Sequence, residues 1–380
     1  MLPTTTDVLV VGAGPVGLAT ATTLAGQGVD VTIVDRLPLG ENTSRAAVVH
    51  ARTLEVLDTI GAAEPLVARG LPVSRFTIRD RDRILVPVRF DELPTRYPYA
   101  LMVPQSTTEA VLLDRLTELD GHVHRPYTVV DLDLDSGLAT FEGGGTVRAR
   151  YVVGADGMHS TVRGLAGIGF GGDSSAGQSF ALADITVHSE LPRDEVVLFF
   201  SRSGMVVWAP LPDGNVRFVA EAVDPPQYPG TEYVQSLLDA RGPAGASSTV
   251  HKVVWGSRFR VHHRVADSFR AGPVLLAGDA GHVHSPAGGQ GMNLGIQDGI
   301  ALGNAIVEVL HGGPEMILDD YAAARRPAAE DVVRFTHLLT RLATASAALR
   351  PARNTVVRTA AALPGFRRRL AWRLSGLVNR

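Results

Sequence analysis

The chain has 380 residues, of which 45% are hydrophobic and 20% are charged, and it contains no cysteine. Because single cores stop growing at about 250–300 residues, this length predicts more than one packed unit. The lack of cysteine excludes disulfides, iron–sulfur clusters, cysteine-based zinc sites and redox dithiols. The formal net charge of −3 gives no indication of nucleic-acid binding.

The charge is unevenly distributed along the chain. Ten arginines and no acidic residue follow Asp331, so residues 332–380 carry +10 and residues 1–331 carry −13. The end of this segment has an apolar stripe at helical spacing, formed by Phe366, Leu370, Leu374, Leu377 and Val378. A basic amphipathic helix can bind a membrane surface or an acidic partner. We favour a terminal helix that packs on the acidic body, and keep an acidic partner as the alternative.

The start of the chain lacks the basic segment of a secretory signal, and no apolar run approaches the roughly 18 residues of a membrane span, so a cytoplasmic protein is expected.

The first half of the chain reads as alternating strands and helices. Apolar runs predict strands, and periodic spacing predicts helices. The predicted elements are a strand at 7–11, a helix at 15–27, a strand at 29–35, helices at 52–60 and 106–119, a hairpin at 74–88, strands within 127–153 and a helix from Met158.

The pattern changes between residues 177 and 270, where alternating apolar runs predict an antiparallel sheet. A buried strand at 274–277 and a helix at about 290–310 follow, and the remainder reads as helix interrupted at Pro327, Pro351 and Pro364. These patterns predict a discontinuous nucleotide-binding α/β domain with an inserted sheet domain and a helical end. The predicted boundaries are 1–176 with 271–313, then 177–270, then 314–380.

Three glycine-rich motifs carry the predicted chemistry. The first is Gly12-Ala13-Gly14-Pro15-Val16-Gly17, which lies between a strand and a helix. Gly12 permits a tight turn, Gly14 a close approach to a pyrophosphate and Gly17 close helix–strand packing. Asp35, 18 residues after Gly17, is placed to bind a ribose hydroxyl, and Arg36 beside it is a further candidate cofactor contact.

The other two motifs also follow predicted strands. Asp156 stands in an Asp-Gly turn, and Gly278-Asp279 puts a carboxylate next to glycines, which suits a ribityl or ribose hydroxyl. A turn then opens the helix predicted at 290–310, and it contains Pro286, Gly289, Gly291, Met292 and Asn293. The start of that helix offers free N–H groups and a positive dipole end, which suits the anionic edge of a reduced flavin.

Together these motifs resemble the single-component FAD-dependent aromatic hydroxylases, the p-hydroxybenzoate hydroxylase class, over roughly residues 5–330. Ser44-Arg45-Ala46 resembles that family's flavin-contacting segment, and Pro104-Gln105 resembles its flavin-contacting helix start. The bacterial hydroxylases that tailor aromatic polyketides are the most similar in character. Many of those carry a C-terminal thioredoxin-like domain, which we do not expect in a sequence of this length.

The resemblance implies an α/β fold with a Rossmann-like FAD-binding domain, an inserted antiparallel β-sheet substrate domain and C-terminal helices. It implies non-covalent FAD, NAD(P)H as a transient reductant, and hydroxylation of a small phenolic or polycyclic aromatic substrate by O2 through a flavin C4a-hydroperoxide. Position matching assigns Asp35 to the adenosine ribose, Asp279 to the ribityl or pyrophosphate region, and Arg45 and Gln105 to the flavin. Pro286 and Arg45 are the candidate catalytic residues, and a homodimer is a further expectation.

Several alternatives stay open on the sequence alone. The same fold supports epoxidation, Baeyer–Villiger oxidation and double-bond reduction, and escort proteins reuse it without catalysis. Flavin disulfide reductases need a dithiol, which a chain without cysteine cannot supply. His282 and His284 lack a nearby third ligand, so a structural or flavin-adjacent role is favoured over a metal site. Trp208 and Phe199-Phe200 fit either an aromatic substrate pocket or ordinary sheet core.

Overall fold

The computed structural model describes residues 2–40, 46–173, 179–245, 248–343 and 348–380. The strands are β1 (Thr5–Val11), β2 (Val31–Val34), β3 (Val48–Val49), β4 (Leu71–Val73), β5 (Arg75–Asp80), β6 (Arg83–Arg89), β7 (Ala100–Met102), β8 (Val123–His124), β9 (Val129–Asp133), β10 (Leu138–Phe141), β11 (Thr146–Gly154), β12 (Phe170–Asp173), β13 (Ser179–Ser189), β14 (Glu195–Ser201), β15 (Gly204–Pro210), β16 (Val216–Ala222), β17 (Ser248–Arg260), β18 (His263–Ala266), β19 (Arg270–Ala271), β20 (Val274–Leu276) and β21 (His282–Val283). The helices are α1 (Pro15–Gly26), α2 (Ala51–Asp58), α3 (Ala63–Arg69), α4 (Gln105–Glu118), α5 (Thr161–Leu165), α6 (Thr231–Arg241), α7 (Gly291–Leu310), α8 (Met316–Ala343), α9 (Arg350–Ala362) and α10 (Pro364–Leu374).

The first large sheet is centred on β1, which pairs in parallel with β11 on one side and β2 on the other. β20 extends it in parallel beyond β11, and β8 extends it beyond β2. Val8, Leu9 and Val10 of β1 are fully buried, as expected for a parallel strand covered on both faces. The glycine-rich motifs follow β1, β11 and β20, so the parallel pairing brings all three to one edge of the sheet.

The second large sheet has the order β17-β13-β16-β15-β14-β5-β6 and is antiparallel except where β14 meets β5. The hairpin predicted at 74–88 is present as β5 and β6, and it joins this sheet. Phe199 and Trp208 are buried on the face that packs with α6, while Phe200 is buried on the opposite face. These three aromatic residues are therefore sheet core.

The C-terminal helices correct one local expectation. α8 continues through Pro327, although a proline there was predicted to interrupt the helix. Tyr321, whose hydroxyl donates to Leu276 O at 2.8 Å, and the buried Ala329 anchor α8 on either side of the proline. Pro351 and Pro364 lie in the first turns of α9 and α10, where a missing N–H costs no helical hydrogen bond.

The basic end of the chain packs on the body, as favoured from the sequence. Leu374 and Leu377 are buried, whereas Phe366 and Val378 of the same stripe are exposed.

The helix predicted from Met158 begins instead at Thr161, because Ser160 caps it by accepting a hydrogen bond from Arg163 N. In the part of the chain that the structure describes, no helix is both long and apolar enough to cross a membrane. The predicted α/β fold class is confirmed.

Candidate functional site

The helices α1 and α7 approach each other closely enough to bring their N-termini together. α7 presents Gly295, Gly299 and Gly303, four residues apart, toward α1. A Cβ atom on Gly295 would lie 2.7 Å from Val16 Cγ2, and one on Gly299 would lie 2.6 Å from Thr20 Oγ1. Because larger side chains would push the helices apart, these glycines fix the distance between the two helix starts.

The first motif forms a tight turn from β1 into α1. Gly12 has φ +104°, and its N–H donates to Val34 O at 2.8 Å. A Cβ atom on Gly17 would overlap the carbonyl oxygen of Gly12, so both positions require glycine. Gly14 caps α1 without a side-chain bond, and Pro15 occupies its first turn. With no acidic residue in that turn, the helix start suits an anionic phosphate.

Asp35 is buried at the end of β2, against the first turn. Its Oδ2 atom accepts a hydrogen bond from Ala13 N at 2.7 Å, and Oδ1 accepts one from Leu37 N at 2.8 Å. Arg125 lies 3.2 Å from Oδ1, whereas the neighbouring Arg36 is exposed. A carboxylate offers about four acceptor positions, so these three contacts leave room for one ribose hydroxyl.

The second motif places a buried oxygen beside the first turn. Asp156 Oδ2 accepts hydrogen bonds from Thr161 N at 2.7 Å and Val162 N at 3.2 Å. Among the described residues, Asp156 Oδ1 is buried and has no hydrogen-bond partner. A Cβ atom built on Gly12 would lie 2.9 Å from Asp156 Cα. A buried acceptor without a partner is costly, so this atom indicates a bound donor such as a cofactor hydroxyl.

The third motif forms a short turn, Gly278–Ala280, directly after β20. Gly278 has φ +63°, and a Cβ atom there would lie 2.7 Å from Val16 Cγ2 of the first motif. Arg163 of α5 donates to Ala280 O at 2.8 Å, which joins the second motif to the third. Burial lowers the pKa of Arg163 from its ordinary value. The side chain of Asp279 is exposed at the same edge of the sheet.

The glycine-rich turn before α7 closes the site. Gly288 and Gly289 both have positive φ, +86° and +62°, and a Cβ atom on Gly289 would overlap Val48. Asn293 Nδ2 donates to Val48 O at 2.9 Å and to Gly289 O at 2.7 Å. Pro286, Gly291 and Met292 are partly buried around this turn.

Gln105 reaches the same region from the start of α4. Its Oε1 atom accepts from Ala46 N at 3.3 Å, and its Nε2 atom donates to Glu109 Oε1 at 2.9 Å. Arg45, the other predicted flavin contact on this side, lies outside the described residues. The predicted cofactor contacts that are described therefore border the edge where β1, β2, β11 and β20 end. Ligands of open α/β sheets bind at such an edge.

A polar cleft of about 780 Å³ lies at the opposite edge of the parallel sheet, lined by Thr5, Asp30, Arg148 and Pro273 among others. It adjoins the beginnings of the parallel strands, where none of the glycine-rich motifs lies. Among the described residues, no group of three or more His, Asp or Glu side chains could hold a metal ion. The edge with the three motifs is therefore the candidate site.

Sequence reasoning did not identify three residues that support the site. His50 lies at the glycine-rich turn, where its Nε2 atom is 2.9 Å from Gly288 O and its backbone N–H donates to Asn293 Oδ1 at 2.7 Å. Asp298 and Arg325 form a buried pair behind the Gly278 turn. A functional or structural role for Asp298 could have been predicted, because it is the single carboxylate in the apolar stretch 294–307. A carboxylate on a buried helix is stable only when it is paired.

His50 gives the protein a predictable response to acid. Burial lowers the pKa of His50 to about 4 from an ordinary value of 6.5, so the unfolded chain takes up this proton first as the pH falls. The contribution of neutral His50 to the free energy of unfolding is fully present above pH 6.5 and is lost as the pH falls from 6.5 to about 4. The loss over this range is about 3 kcal/mol. The His50→Gln variant should show a weaker fall in unfolding free energy across this range, measured by urea denaturation.

The control for this experiment is His311→Gln, which removes an exposed histidine. Its stability profile should follow that of the unsubstituted protein. A His50→Gln profile parallel to that of the unsubstituted protein would contradict the assignment. Burial also lowers the pKa of His284 to about 4, so part of the acid sensitivity should remain in the variant.

Comparisons with known proteins agree with this geometry. Residues 5–336 match a family model described as an FAD binding domain. The chain is 39% identical to the 6-methylpretetramide 4-monooxygenase of Streptomyces rimosus over 91% of its own length and 63% of the relative's. It is 37% identical to a 12-dehydrotetracycline 5-monooxygenase/anhydrotetracycline 6-monooxygenase of the same species, over 87% and 68%. The solved anhydrotetracycline hydroxylase of Streptomyces rimosus superimposes with a TM-score of 0.81 at 35% identity, covering 98% of this chain and 76% of that one.

Proposed function

Because the chain belongs to the FAD-binding-domain family of aromatic monooxygenases, we propose that it hydroxylates a phenolic or polycyclic aromatic compound with FAD, NAD(P)H and O2. In the balanced reaction, the aromatic C–H, NAD(P)H, a proton and O2 give the phenol, NAD(P)+ and water. The chain spans 63% of the length of the first relative above, so activity and substrate are proposals for this protein.

The residues at the sheet edge fit FAD. The start of α1 at Gly12–Gly17 would bind the pyrophosphate, Asp35 the adenosine ribose and Asp279 the ribityl chain. Asp156 Oδ1, which is buried and has no hydrogen-bond partner in the part of the chain that the structure describes, is the observation that calls for a donor in this position. FAD bound here would take a hydride from NAD(P)H and activate O2 for transfer of one oxygen atom to the substrate ring.

The aromatic face of the second sheet is the observation that carries the proposed substrate class. Phe180 and Phe259 stack with ring centroids 5.4 Å apart. Phe180 is packed in one apolar cluster with Ala287 of the glycine-rich turn, and Trp255 and Val48 border that cluster. Phe180 is itself fully buried, so a flat, electron-rich ring would stack on the partly buried Phe259 and Trp255 beside it, and the cluster would exclude water from the reacting edge.

Arg217 links this sheet to the flavin-contacting segment. It forms a buried bidentate pair with Asp184, with distances of 2.5 and 2.8 Å, and donates to Ala46 O at 3.2 Å. We propose that it keeps the segment after Arg45 in place while a substrate binds. Pro286 and the start of α7 would then lie against the reacting edge, where the helix dipole favours negative charge on the flavin.

NAD(P)H would serve as a transient reductant, because no second strand–GxGxxG–helix unit is visible in the sequence to hold it. Arg368 and Arg369 of α10 are exposed, and we propose that they contact an acidic partner. A homodimer is the expected assembly.

The proposed function is tested on the purified protein loaded with FAD. We expect NAD(P)H oxidation to increase when anhydrotetracycline or 1-naphthol is added under 18O2. The product should gain one labelled oxygen as a ring hydroxyl, identified by mass spectrometry and NMR. FAD-free protein measured in parallel is the control, and it should not oxidise NAD(P)H.

Each alternative gives a different result in this experiment. Baeyer–Villiger oxidation and epoxidation also incorporate label, but as an ester or an epoxide oxygen. Double-bond reduction consumes NAD(P)H and leaves the product without label. An escort protein would not bind FAD and would not oxidise NAD(P)H. Any of these four outcomes would overturn the proposed hydroxylation.

A further inference from the structure

A fully buried carboxylate, Asp298, lies in the middle of α7 and has no part in the proposed function so far. Its Oδ1 atom accepts a hydrogen bond from Arg325 Nε of α8 at 2.6 Å. Its Oδ2 atom is 2.6 Å from His282 Nε2, and His282 is also fully buried. A charge removed from water in this way is costly unless it is paired, so the arrangement calls for an explanation.

The same carboxylate reaches the turn of the third motif. Gly278 N donates to Asp298 Oδ2 at 3.3 Å, and His282 lies two residues after the end of that turn. On the other side, Arg163 donates to Ala280 O at 2.8 Å. The turn that carries Asp279 is thus held at its first residue by Asp298 and at its last by Arg163.

Electrostatics favour an ionised Asp298. Burial by itself would raise the pKa of this carboxyl, but the opposite charge of Arg325 and the contact with His282 lower it below the ordinary value. An ionised carboxylate accepts hydrogen bonds at both oxygens at once. Asp298 can therefore hold Arg325 with one oxygen and the turn with the other.

The position of this turn matters for the first motif as well. Gly278 has φ +63° and packs directly on Val16, in the first turn of α1. A shift of Gly278 toward α1 would meet Val16, and a shift away would withdraw Asp279 from the sheet edge. The turn therefore has little freedom while Asp298 holds the Gly278 amide.

We infer that Asp298 is a positioning residue for the cofactor, and that it fixes the Gly278–Ala280 turn so that Asp279 faces the ribityl chain of FAD. Arg325 acts through Asp298, since it bonds to the carboxylate and not to the turn. The inference rests on the proposed function in one respect, namely that FAD is the ligand at this edge.

The test is Asp298→Asn, which keeps the size of the side chain. An amide has one accepting oxygen and one donating nitrogen, so it cannot accept from Arg325 and from Gly278 and His282 together. We expect the Kd for FAD, from fluorescence titration of the apoprotein, to rise at least tenfold. The visible circular dichroism of the bound flavin should change, and the Gly278 amide of the apoprotein should exchange faster with deuterium.

Glu195→Gln is the matched control. Glu195 is also a buried carboxylate, bonded to Arg79 and Thr77, but it lies in the second large sheet. The Glu195→Gln variant should have a lowered melting temperature, as Asp298→Asn should. Its Kd for FAD should stay within twofold of the value for the unsubstituted protein. An equal rise in Kd for the two variants would show a general loss of stability and overturn the inference.

A second variant covers the case in which Asp298→Asn does not fold. Arg325→Gln should also raise the Kd for FAD. Because the two residues act as a pair, the fold-increase in Kd of the double variant should be smaller than the product of the fold-increases of the two single variants. An Arg325→Gln protein with an unchanged Kd and an unchanged Gly278 exchange rate would overturn the inference. If the unsubstituted protein binds no FAD, the proposed function fails, while Gly278 exchange in the apoprotein still tests the role of Asp298.

Discussion

Replacing Gly17 with alanine should reduce FAD binding about a hundredfold, which corresponds to about 3 kcal/mol of binding free energy. The added methyl group would overlap the carbonyl oxygen of Gly12, which is backbone and cannot rotate away. The turn would have to open, and the N–H groups at the start of α1 would no longer converge on one phosphate position. Overpacking of this kind also lowers the free energy of unfolding by about 1–3 kcal/mol.

Gly26→Ala is the control for this change, because it lies in the same helix. A Cβ atom there would lie 3.7 Å from Leu119 Cδ1, an ordinary contact. Alanine is the better helix former by up to about 1 kcal/mol, so this variant should be as stable as the unsubstituted protein or more stable. The two variants are compared by FAD fluorescence titration and thermal unfolding. Equal Kd values for FAD in both would refute the packing argument.

The edge of the sheet that forms the candidate cofactor site could be predicted from the sequence because its signals are local. Gly12, Gly278 and Gly289 all take positive φ values, which glycine adopts without strain, and each stands directly beyond a buried strand or before a helix. Parallel pairing of β1 with β11, and of β11 with β20, then brings the motifs to one edge. Short, uniformly apolar strands indicate that pairing before any contact is known.

Contacts between segments that are far apart in the sequence could not be predicted from such local patterns. The hairpin β5–β6 was predicted, but its parallel pairing with β14 joins residues about 120 positions apart, for which the sequence holds no local signal. α8 continues through Pro327 because contacts on both sides of the proline outweigh the lost hydrogen bond. The partners of Asp298 come from 16 and 27 residues away, so the need for a partner was visible but its identity was not.

The C-terminal helices depend on one buried cluster around Asp80, at the end of β5. Asp80 accepts hydrogen bonds from Arg350 Nε at 2.9 Å and from Asn354 Nδ2 at 2.5 Å, both in α9. Arg353 of the same helix donates to Phe200 O at 3.1 Å, which brings α9 against the second large sheet. α10 follows directly, and Leu374 O in it accepts a hydrogen bond from Gln290 at the glycine-rich turn at 3.0 Å. Loss of the Asp80 carboxylate would therefore act on the turn through two helices.

We expect Asp80→Ala to lower the free energy of unfolding by about 3 kcal/mol, since it leaves Arg350 and Asn354 without their acceptor. Deuterium exchange should rise in α9 and α10, and the Kd for FAD should rise severalfold because Gln290 loses a fixed partner. Asp194→Ala is the control, because its pair with Arg75 has side chains 63% and 48% exposed and should contribute at most about 1 kcal/mol. If the two variants unfold at the same urea concentration, the Asp80 cluster does not anchor α9. If Asp80→Ala loses stability without faster exchange in α10, the connection from α9 to the glycine-rich turn is wrong.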